Sequence, residues 1–188
     1  MTEPIELVES SGPSRLALIG ASVTGVLLLL LIFVLATSEG QQGLGPSPLV
    51  GDLSPEVVGI AVDGSTYDIQ DERGRWVVVN FFATNCVPCI VEHPELVAFD
   101  EANSPTGAAS VVSIAFSDTS QNVIDFFAEN GGDWDVLAAD TGRHAINFGV
   151  AAVPETYLVH PNGTVTTKFT GGVTQADLEA EITRLSGG

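Results

Sequence analysis

Basic residues are scarce in this chain of 188 residues. It contains six Lys and Arg against 24 Asp and Glu, which gives a formal net charge of −18. Nucleic-acid binding requires a basic surface, so this class of function is excluded. Attachment to anionic lipid by charge is disfavoured for the same reason. Since 45% of the residues are hydrophobic, a disordered acidic chain is excluded as well.

Cysteine is equally scarce, because only Cys86 and Cys89 are present. A small fold held together by disulfides would use more cysteines at longer spacings. A structural zinc site would usually need a second Cys or His pair, and the three histidines of this chain are scattered. We therefore interpret the pair as a redox couple and expect neither a metal nor a cofactor. The alternatives are a structural disulfide and half of a metal site.

Charge is absent from residues 16–36, an apolar run. A helix of this length, at about 1.5 Å per residue, crosses a hydrocarbon core of about 30 Å. A cleaved signal peptide has a shorter apolar region, a basic start and a small-residue cleavage site, so we favour an uncleaved signal anchor. Arg15 before the run and Glu39 after it predict that residues 1–15 are a cytoplasmic tail and that the C-terminal part lies outside the cytoplasm.

Residues 37–50 (TSEGQQGLGPSPLV) lack apolar periodicity and predict a flexible linker. The domain that follows, residues 51–188, alternates strand and helix patterns and predicts an α/β fold with a central sheet covered by helices. Its predicted strands are 57–62, 66–69, 76–83, 110–116, 136–139, 155–160 and 164–170. Its predicted helices run from the cysteines to about 103, over 120–130, around 143–148 and after Thr174. The Asp63-Gly64 turn predicts that the first two strands form a hairpin.

The motif Cys86-Val87-Pro88-Cys89 follows directly on the buried strand 76–83 and opens a helix. At a helix N-terminus, free backbone N–H groups and the helix dipole favour a thiolate on the first cysteine. Since the thiolate is the nucleophile in disulfide exchange, Cys86 is the expected attacking residue. Cys89 lies one turn further on and is expected to be more buried, in a position to resolve a mixed disulfide on Cys86.

The segment VVVNFFATNCVPCIVEHPEL resembles the active-site region of the TlpA/ResA/CcmG (DsbE) group of thioredoxin-like proteins. These are membrane-tethered thiol–disulfide oxidoreductases that work outside the cytoplasm. The resemblance extends from about residue 50 to the C-terminus. It implies a thioredoxin-like fold, with a central mixed sheet flanked by helices, an N-terminal hairpin extension and a single N-terminal transmembrane helix.

Pro154 resembles the cis-proline that lies beside the dithiol in this group. A cis bond would turn the backbone so that Val153 could pair with an extended substrate chain. The alternative is an ordinary trans proline at the start of a strand. Glu155 matches the cytochrome c maturation branch of the group, which implies that it tunes the dithiol or meets the substrate.

Glu92 resembles a glutamate that lies beneath the dithiol in this group and moves protons during exchange. Its helical spacing from Cys89 permits that role, and the alternative is a solvated helix carboxylate. Thioredoxin carries a buried aspartate where Asn80 stands, so Glu92 becomes the better proton carrier. The Glu92-His93 pair also resembles the maturation branch, with an exposed and uninvolved His93 as the alternative.

Asn85 and Ile90 depart from the family, which commonly has a tryptophan and a basic residue at these positions. Asn85 removes an aromatic surface beside Cys86, so the choice of substrate is expected to differ. Ile90 lowers the local positive potential, which would weaken the depression of the pKa of Cys86.

The resemblance implies a reductant in cytochrome c biogenesis. Its substrate would be the disulfide in the haem-binding segment of an apocytochrome c, or of another exported protein, and a membrane thiol donor of the CcdA or DsbD type would re-reduce it. One alternative is a general extracytoplasmic thiol reductase, for example in copper-site assembly. Another is a redox-silent chaperone that holds clients by the proline loop. A peroxiredoxin is disfavoured, because its Pro-x-x-x-Thr-x-x-Cys centre does not match ATNCVPC.

Overall fold

The computed structural model describes residues 24–30, 32, 43–139 and 141–187. It divides the chain into two units, residues 1–40 and 41–188. In the first unit, residues 24–30 and 32 are helical and belong to the expected transmembrane run. The rest of that run, the tail 1–15 and the start of the expected linker lie outside the described residues. Among those described, no helix is both long and apolar enough to cross a membrane.

The second unit has the α/β architecture that the sequence predicts, and every expected strand and helix ends within about two residues of its predicted boundary. The elements are β1 (Gly43–Leu44), β2 (Val58–Ile60), β3 (Thr66–Asp68), β4 (Trp76–Phe82), α1 (Val87–Asn103), β5 (Ala109–Ala115), α2 (Ser120–Asn130), β6 (Asp135–Leu137), α3 (Gly142–Phe148), β7 (Glu155–Val159), β8 (Val165–Thr170) and α4 (Gln175–Ser186). Short 3₁₀ turns follow β3 and α1.

Six strands form one mixed sheet in the order β1-β8-β7-β4-β5-β6. The central strand β4 pairs in parallel with β5 and antiparallel with β7. All of its residues are buried, because helices or the hairpin cover both faces, and its unbroken apolar sequence suits that position. The C-terminal end of this strand delivers the chain to the two cysteines.

The two faces of the sheet carry different cores. Leu96 of α1 and Leu178 of α4 belong to a core that includes Val78 of β4. On the opposite face, Phe148 of α3 belongs to a core that includes Phe81 of β4. Successive side chains of a strand alternate between faces, so β4 contributes to both cores.

The strands β2 and β3 form the expected hairpin as a separate two-stranded sheet. The backbone N–H of Ser65 donates to the Asp63 carboxylate at 2.9 Å, which closes the turn. The hairpin lies against the edge strand β6, where Val62 donates to the Val136 carbonyl at 2.9 Å. This contact covers an edge that would otherwise be free to pair with another chain.

The expectation of a flexible linker over 37–50 is wrong for the described part, residues 43–50. The chain joins the sheet from residue 43. Gly43 pairs with Thr170, and Leu49 packs against the core. Gly45 allows the close approach, since a Cβ atom there would lie 2.8 Å from Cγ2 of Thr170. Periodicity could not predict a two-residue strand whose partner comes much later in the chain.

Candidate active site

The two cysteines lie where the buried strand β4 gives way to helix α1. Cys86 is the N-cap residue of α1, and its Sγ accepts a hydrogen bond from the backbone N–H of Cys89 at 3.3 Å. Pro88 fits in the first turn, because its missing N–H would have no partner within the helix there. The free N–H groups and the dipole of this helix end favour negative charge on Cys86.

Cys86 and Cys89 form a disulfide in this structure. Cys86 is half-buried, whereas Cys89 is only 3% exposed. An incoming disulfide can therefore reach the sulfur of Cys86 but not that of Cys89. This difference matches the attacking and resolving roles that the sequence predicts.

The Val153–Pro154 peptide bond is cis, as predicted. The Val153 carbonyl oxygen lies 3.6 Å from Sγ of Cys86, so the cis-proline loop adjoins the dithiol. The Pro154 carbonyl accepts a hydrogen bond from the backbone N–H of Gly171 at 3.0 Å, which ties the loop to the end of β8. The backbone of Val153 is thus held beside the reactive sulfur.

Glu92 lies inside the protein, and its side chain accepts two hydrogen bonds there. It is 3% exposed, and its carboxylate accepts from Nδ2 of Asn80 at 2.5 Å and from the backbone N–H of Val173 at 3.0 Å. Burial raises the pKa of Glu92 to about 7, although both hydrogen bonds oppose the shift. A carboxyl group with this pKa can gain and lose a proton near neutral pH.

Asn80 lies on β4 and links three elements by hydrogen bonds. Besides Glu92, its Nδ2 donates to the hydroxyl of Thr156 on β7 at 3.1 Å. The hydroxyl of Ser113 on β5 lies 3.5 Å from Oδ1 of Asn80. Because the amide is held on both sides, one of its N–H groups points at the Glu92 carboxylate and the other at the Thr156 hydroxyl. The structure thereby makes Asn80 a donor where thioredoxin has a carboxylate.

Glu155 lies in the interior, and its role in tuning the dithiol or meeting the substrate stays a prediction. It is 4% exposed and forms an ion pair with Nζ of Lys168 at 2.9 Å. The hydroxyl of Tyr157 lies 3.3 Å from the same carboxylate oxygen. Sequence reasoning missed Lys168, and the signal that could have found it is a basic residue in the otherwise uncharged strand VTTKFT.

His93 is also buried, which contradicts the alternative of an exposed side chain. Its ring contacts three aromatic side chains, those of Phe126, Phe127 and Trp134. Nε2 lies 2.8 Å from the Gly131 carbonyl, and burial lowers the pKa of His93. The histidine thus packs α1 against α2.

Asp118 lies just before Thr119, the residue that caps α2. The Asp118 carboxylate accepts hydrogen bonds from the backbone and side chain of Thr84, at 2.7 and 2.6 Å. These bonds hold the loop that leads into Cys86. Sequence reasoning missed this contact, because the two residues lie far apart in the chain.

The exposed side chains on the segment that carries Cys86 are uncharged. Asn85 is exposed there, as are Val87, Ile90 and Val91, whose exposed fractions are 71%, 42% and 70%. Both departures from the family are therefore at positions that a partner can touch. No cluster of three or more His, Cys, Asp or Glu suited to a metal ion occurs in the described part of the chain.

Comparisons with known proteins agree with this geometry. The family model of the Redoxin family matches residues 49–182. The thiol:disulfide interchange protein HelX of Rhodobacter capsulatus is 30% identical over 158 residues, covering 81% of this chain and 86% of HelX. The thiol:disulfide interchange protein DsbE homolog of Paracoccus denitrificans is 32% identical over 136 residues. That alignment covers 70% of this chain and 72% of the homolog.

A solved structure shares the fold. It is a thiol:disulfide interchange protein of the thioredoxin family from Chlorobium tepidum, with a TM-score of 0.64 and 25% identity. The match covers 72% of this chain and 95% of that protein. The second unit is therefore a thioredoxin-like domain with a mixed sheet, as the resemblance implied.

Proposed function

The chain belongs to the Redoxin family and is a thiol–disulfide oxidoreductase, and we propose that it reduces the haem-binding cysteines of apocytochrome c outside the cytoplasm. One observation carries this proposal. The half-buried sulfur of Cys86 lies 3.6 Å from the carbonyl of Val153, and a buried Glu92 follows Cys89 by one helical turn. The resemblance of Glu92-His93 and Val153-Pro154-Glu155 to the cytochrome c maturation branch supports this client.

In the first step, the Cys86 thiolate attacks one sulfur of the client disulfide. A bond forms between Cys86 and that sulfur, and the other client sulfur leaves as a thiolate that takes a proton from water. An extended client segment would be held by backbone hydrogen bonds to Val153, which lies beside the reacting sulfur. The uncharged surface of Val87 and Val91 would bury apolar side chains of the client.

In the second step, Cys89 breaks the mixed disulfide. Its thiol gives its proton to the Glu92 carboxylate and then attacks Sγ of Cys86. The second client thiolate leaves and takes the proton from Glu92. The client has then gained two electrons and two protons, and the chain holds the Cys86–Cys89 disulfide seen here.

Repeated turnover requires a dithiol donor that reduces this disulfide again. We assign that role to a membrane thiol donor of the CcdA or DsbD type. Anchoring by residues 16–36 would place the domain at the outer face of the membrane, next to both the donor and exported clients. Large apolar side chains of residues 26–30 and 32 are exposed, which is consistent with a lipid environment.

The test is the capture of clients by the full chain in native membranes. A Cys89→Ser variant cannot resolve the mixed disulfide, so we expect apocytochrome c to accumulate on Cys86. The matched control is Cys86→Ser, which should capture nothing, and loss of the protein should lower the level of c-type haem. If apocytochrome is absent from the captured species and c-type haem stays normal, the client is wrong. Capture of a copper-site protein instead would favour the general thiol reductase.

A further inference from the structure

Lys168 is the only lysine in the sequence, and it is buried. In a chain with a formal net charge of −18, a basic side chain would be expected to lie on the surface among the acidic residues. Lys168 is instead 7% exposed and forms its ion pair with Glu155 inside the fold. The proposed exchange reaction does not use either charge.

The ion pair lies directly behind the cis-proline loop. Glu155 is the residue that follows Pro154, and it pairs with Thr170 of β8 across the sheet. Lys168 lies on the same strand β8, three residues before Gly171, whose N–H donates to the Pro154 carbonyl. The loop is thus joined to β8 twice, once by the backbone bond at Gly171 and once by the ion pair.

Other groups hold the pair in place. Nζ of Lys168 lies 5.3 Å from the ring centroid of Tyr157, and the Tyr157 hydroxyl donates to the Phe148 carbonyl at 2.8 Å. Gly45 donates its N–H to the Lys168 carbonyl at 2.8 Å. A Cβ atom on Gly45 would lie 3.6 Å from Cδ of the lysine, so the segment after β1 covers the lysine side chain. Water is therefore largely kept from both charges.

We propose that Lys168 is a positioning residue for partner binding. Its ion pair with Glu155 holds the Val153–Pro154 backbone in the position where an extended partner segment can pair with Val153 beside Cys86. Because a buried charge that loses its partner is strongly disfavoured, a movement of the loop that broke the pair would be opposed. This inference rests on the partner segment that the proposed function places at Val153, but not on the identity of the client.

The test compares two kinds of oxidant in single-turnover reactions of the reduced full chain. A small aromatic disulfide reports the reactivity of Cys86 alone. Oxidised Cys-x-x-Cys-His and Cys-x-x-Cys-Ala peptides also need the cis-proline loop. For Lys168→Met we expect the half-saturating concentration of both peptides to rise about tenfold, a coupling in the usual range for contacting residues. The rate with the small disulfide should change less than about twofold, and Lys168→Arg should restore much of the peptide binding because it keeps the charge.

A double variant separates positioning from folding. Lys168→Met combined with Glu155→Gln leaves no unpaired buried charge, so the protein should be more stable to denaturant than the single variant. The half-saturating peptide concentration should nevertheless stay raised, because the ion pair that positions the loop is missing. The inference is overturned if the double variant binds peptide like the native chain, or if Lys168→Met slows both kinds of oxidant equally.

A spectroscopic measurement on the native residue adds a second readout. Selective isotope labelling of lysine gives one side-chain NMR resonance, because Lys168 is the only lysine. We expect this resonance to shift when peptide is captured on Cys86 of the Cys89→Ser variant. An unchanged resonance at full capture would contradict the inference. The identity of the client is tested separately, by comparing the two peptides on the native chain. Tighter binding of the Cys-x-x-Cys-His peptide than of the Cys-x-x-Cys-Ala peptide supports apocytochrome c, independently of the role of Lys168.

Discussion

Two buried glutamates adjoin the reactive centre, and different groups contact their carboxylates. Glu92 lies with Asn80 and Thr156, whereas Glu155 lies on the opposite face of β7, because it precedes Thr156 and side chains alternate along a strand. Glu155 forms an ion pair with Lys168. Glu92 takes part in none of the ion pairs of the described residues and is held by hydrogen bonds alone.

The difference fits the two roles proposed for these residues, the exchange of a proton by Glu92 and the positioning of the loop by the ion pair of Glu155. A buried carboxyl group without a cation favours its neutral form, and burial raises the pKa of Glu92 to about 7. A buried carboxylate beside an ammonium group gains from keeping its partner close, which fixes the backbone at either end. The first arrangement suits a proton carrier, and the second suits a contact that fixes the position of the loop.

The largest expected effect comes from leaving Lys168 without its partner. Glu155→Gln should lower the free energy of unfolding by about 3–5 kcal/mol, the usual cost of removing one member of a buried ion pair. Denaturant unfolding at pH 7 measures it. Glu92→Gln is the matched control, because it leaves no charge behind and should cost clearly less. Equal costs for the two variants would contradict the contrast between the two glutamates.

The next effect is the dependence of stability on pH that Glu92 creates. Its pKa rises from an ordinary 4.5 to about 7 on folding, so between these values the folded state holds a proton that the unfolded state has released. This contribution to stability is present below pH 4.5 and is lost as the pH rises through 7, for a loss of about 3 kcal/mol.

Unfolding measured from pH 4 to 8 tests this sign. Glu92→Gln should abolish that part of the pH dependence, because an amide does not titrate. Glu155→Gln should keep it, although that variant is less stable throughout. A Glu92→Gln chain that still loses the same stability between pH 4.5 and 7 would show that another group titrates there.

The smallest expected effect concerns Asn80, which donates a hydrogen bond to Glu92 and so lowers its pKa. Asn80→Ala should raise the pKa of Glu92 further, by about one pH unit, or about 1.4 kcal/mol. The chemical shift of the Glu92 carboxyl carbon, followed with pH, measures it. Thr156→Val is the control, since Thr156 contacts the Asn80 amide without a hydrogen bond to Glu92. A larger shift for Thr156→Val than for Asn80→Ala would contradict the direct role of the amide.

The parts of the site that could be predicted are those set by local pattern. Strand β4 is an unbroken apolar run, and Cys86 opens the helix that follows, so their contiguity is visible in the sequence. The cis bond before Pro154 was expected from the resemblance, and the structure confirms it. The functional roles of Glu92 and Pro154 remain predictions.

The parts that could not be predicted depend on distant residues. The carboxylate of Glu155 meets Lys168 only because β7 and β8 pair in a particular register. His93 is buried because α2 brings Phe126 and Phe127 over it. A polar residue in a helix or strand pattern does not by itself reveal whether its side chain faces water or a partner within the fold.

By itself, the sequence determined the α/β order of elements, the pairing of a buried strand with a Cys-x-x-Cys helix, and the chemistry that such a dithiol can perform. These features follow from hydrophobic periodicity and helix-end chemistry, which act over a few residues. Only the tertiary structure decided that Glu92 has hydrogen-bond donors and no ion pair among the described residues, and that the one lysine is buried in an ion pair with Glu155. Burial and pairing of charges depend on which strands and helices lie together, and a linear pattern of residues does not contain that information.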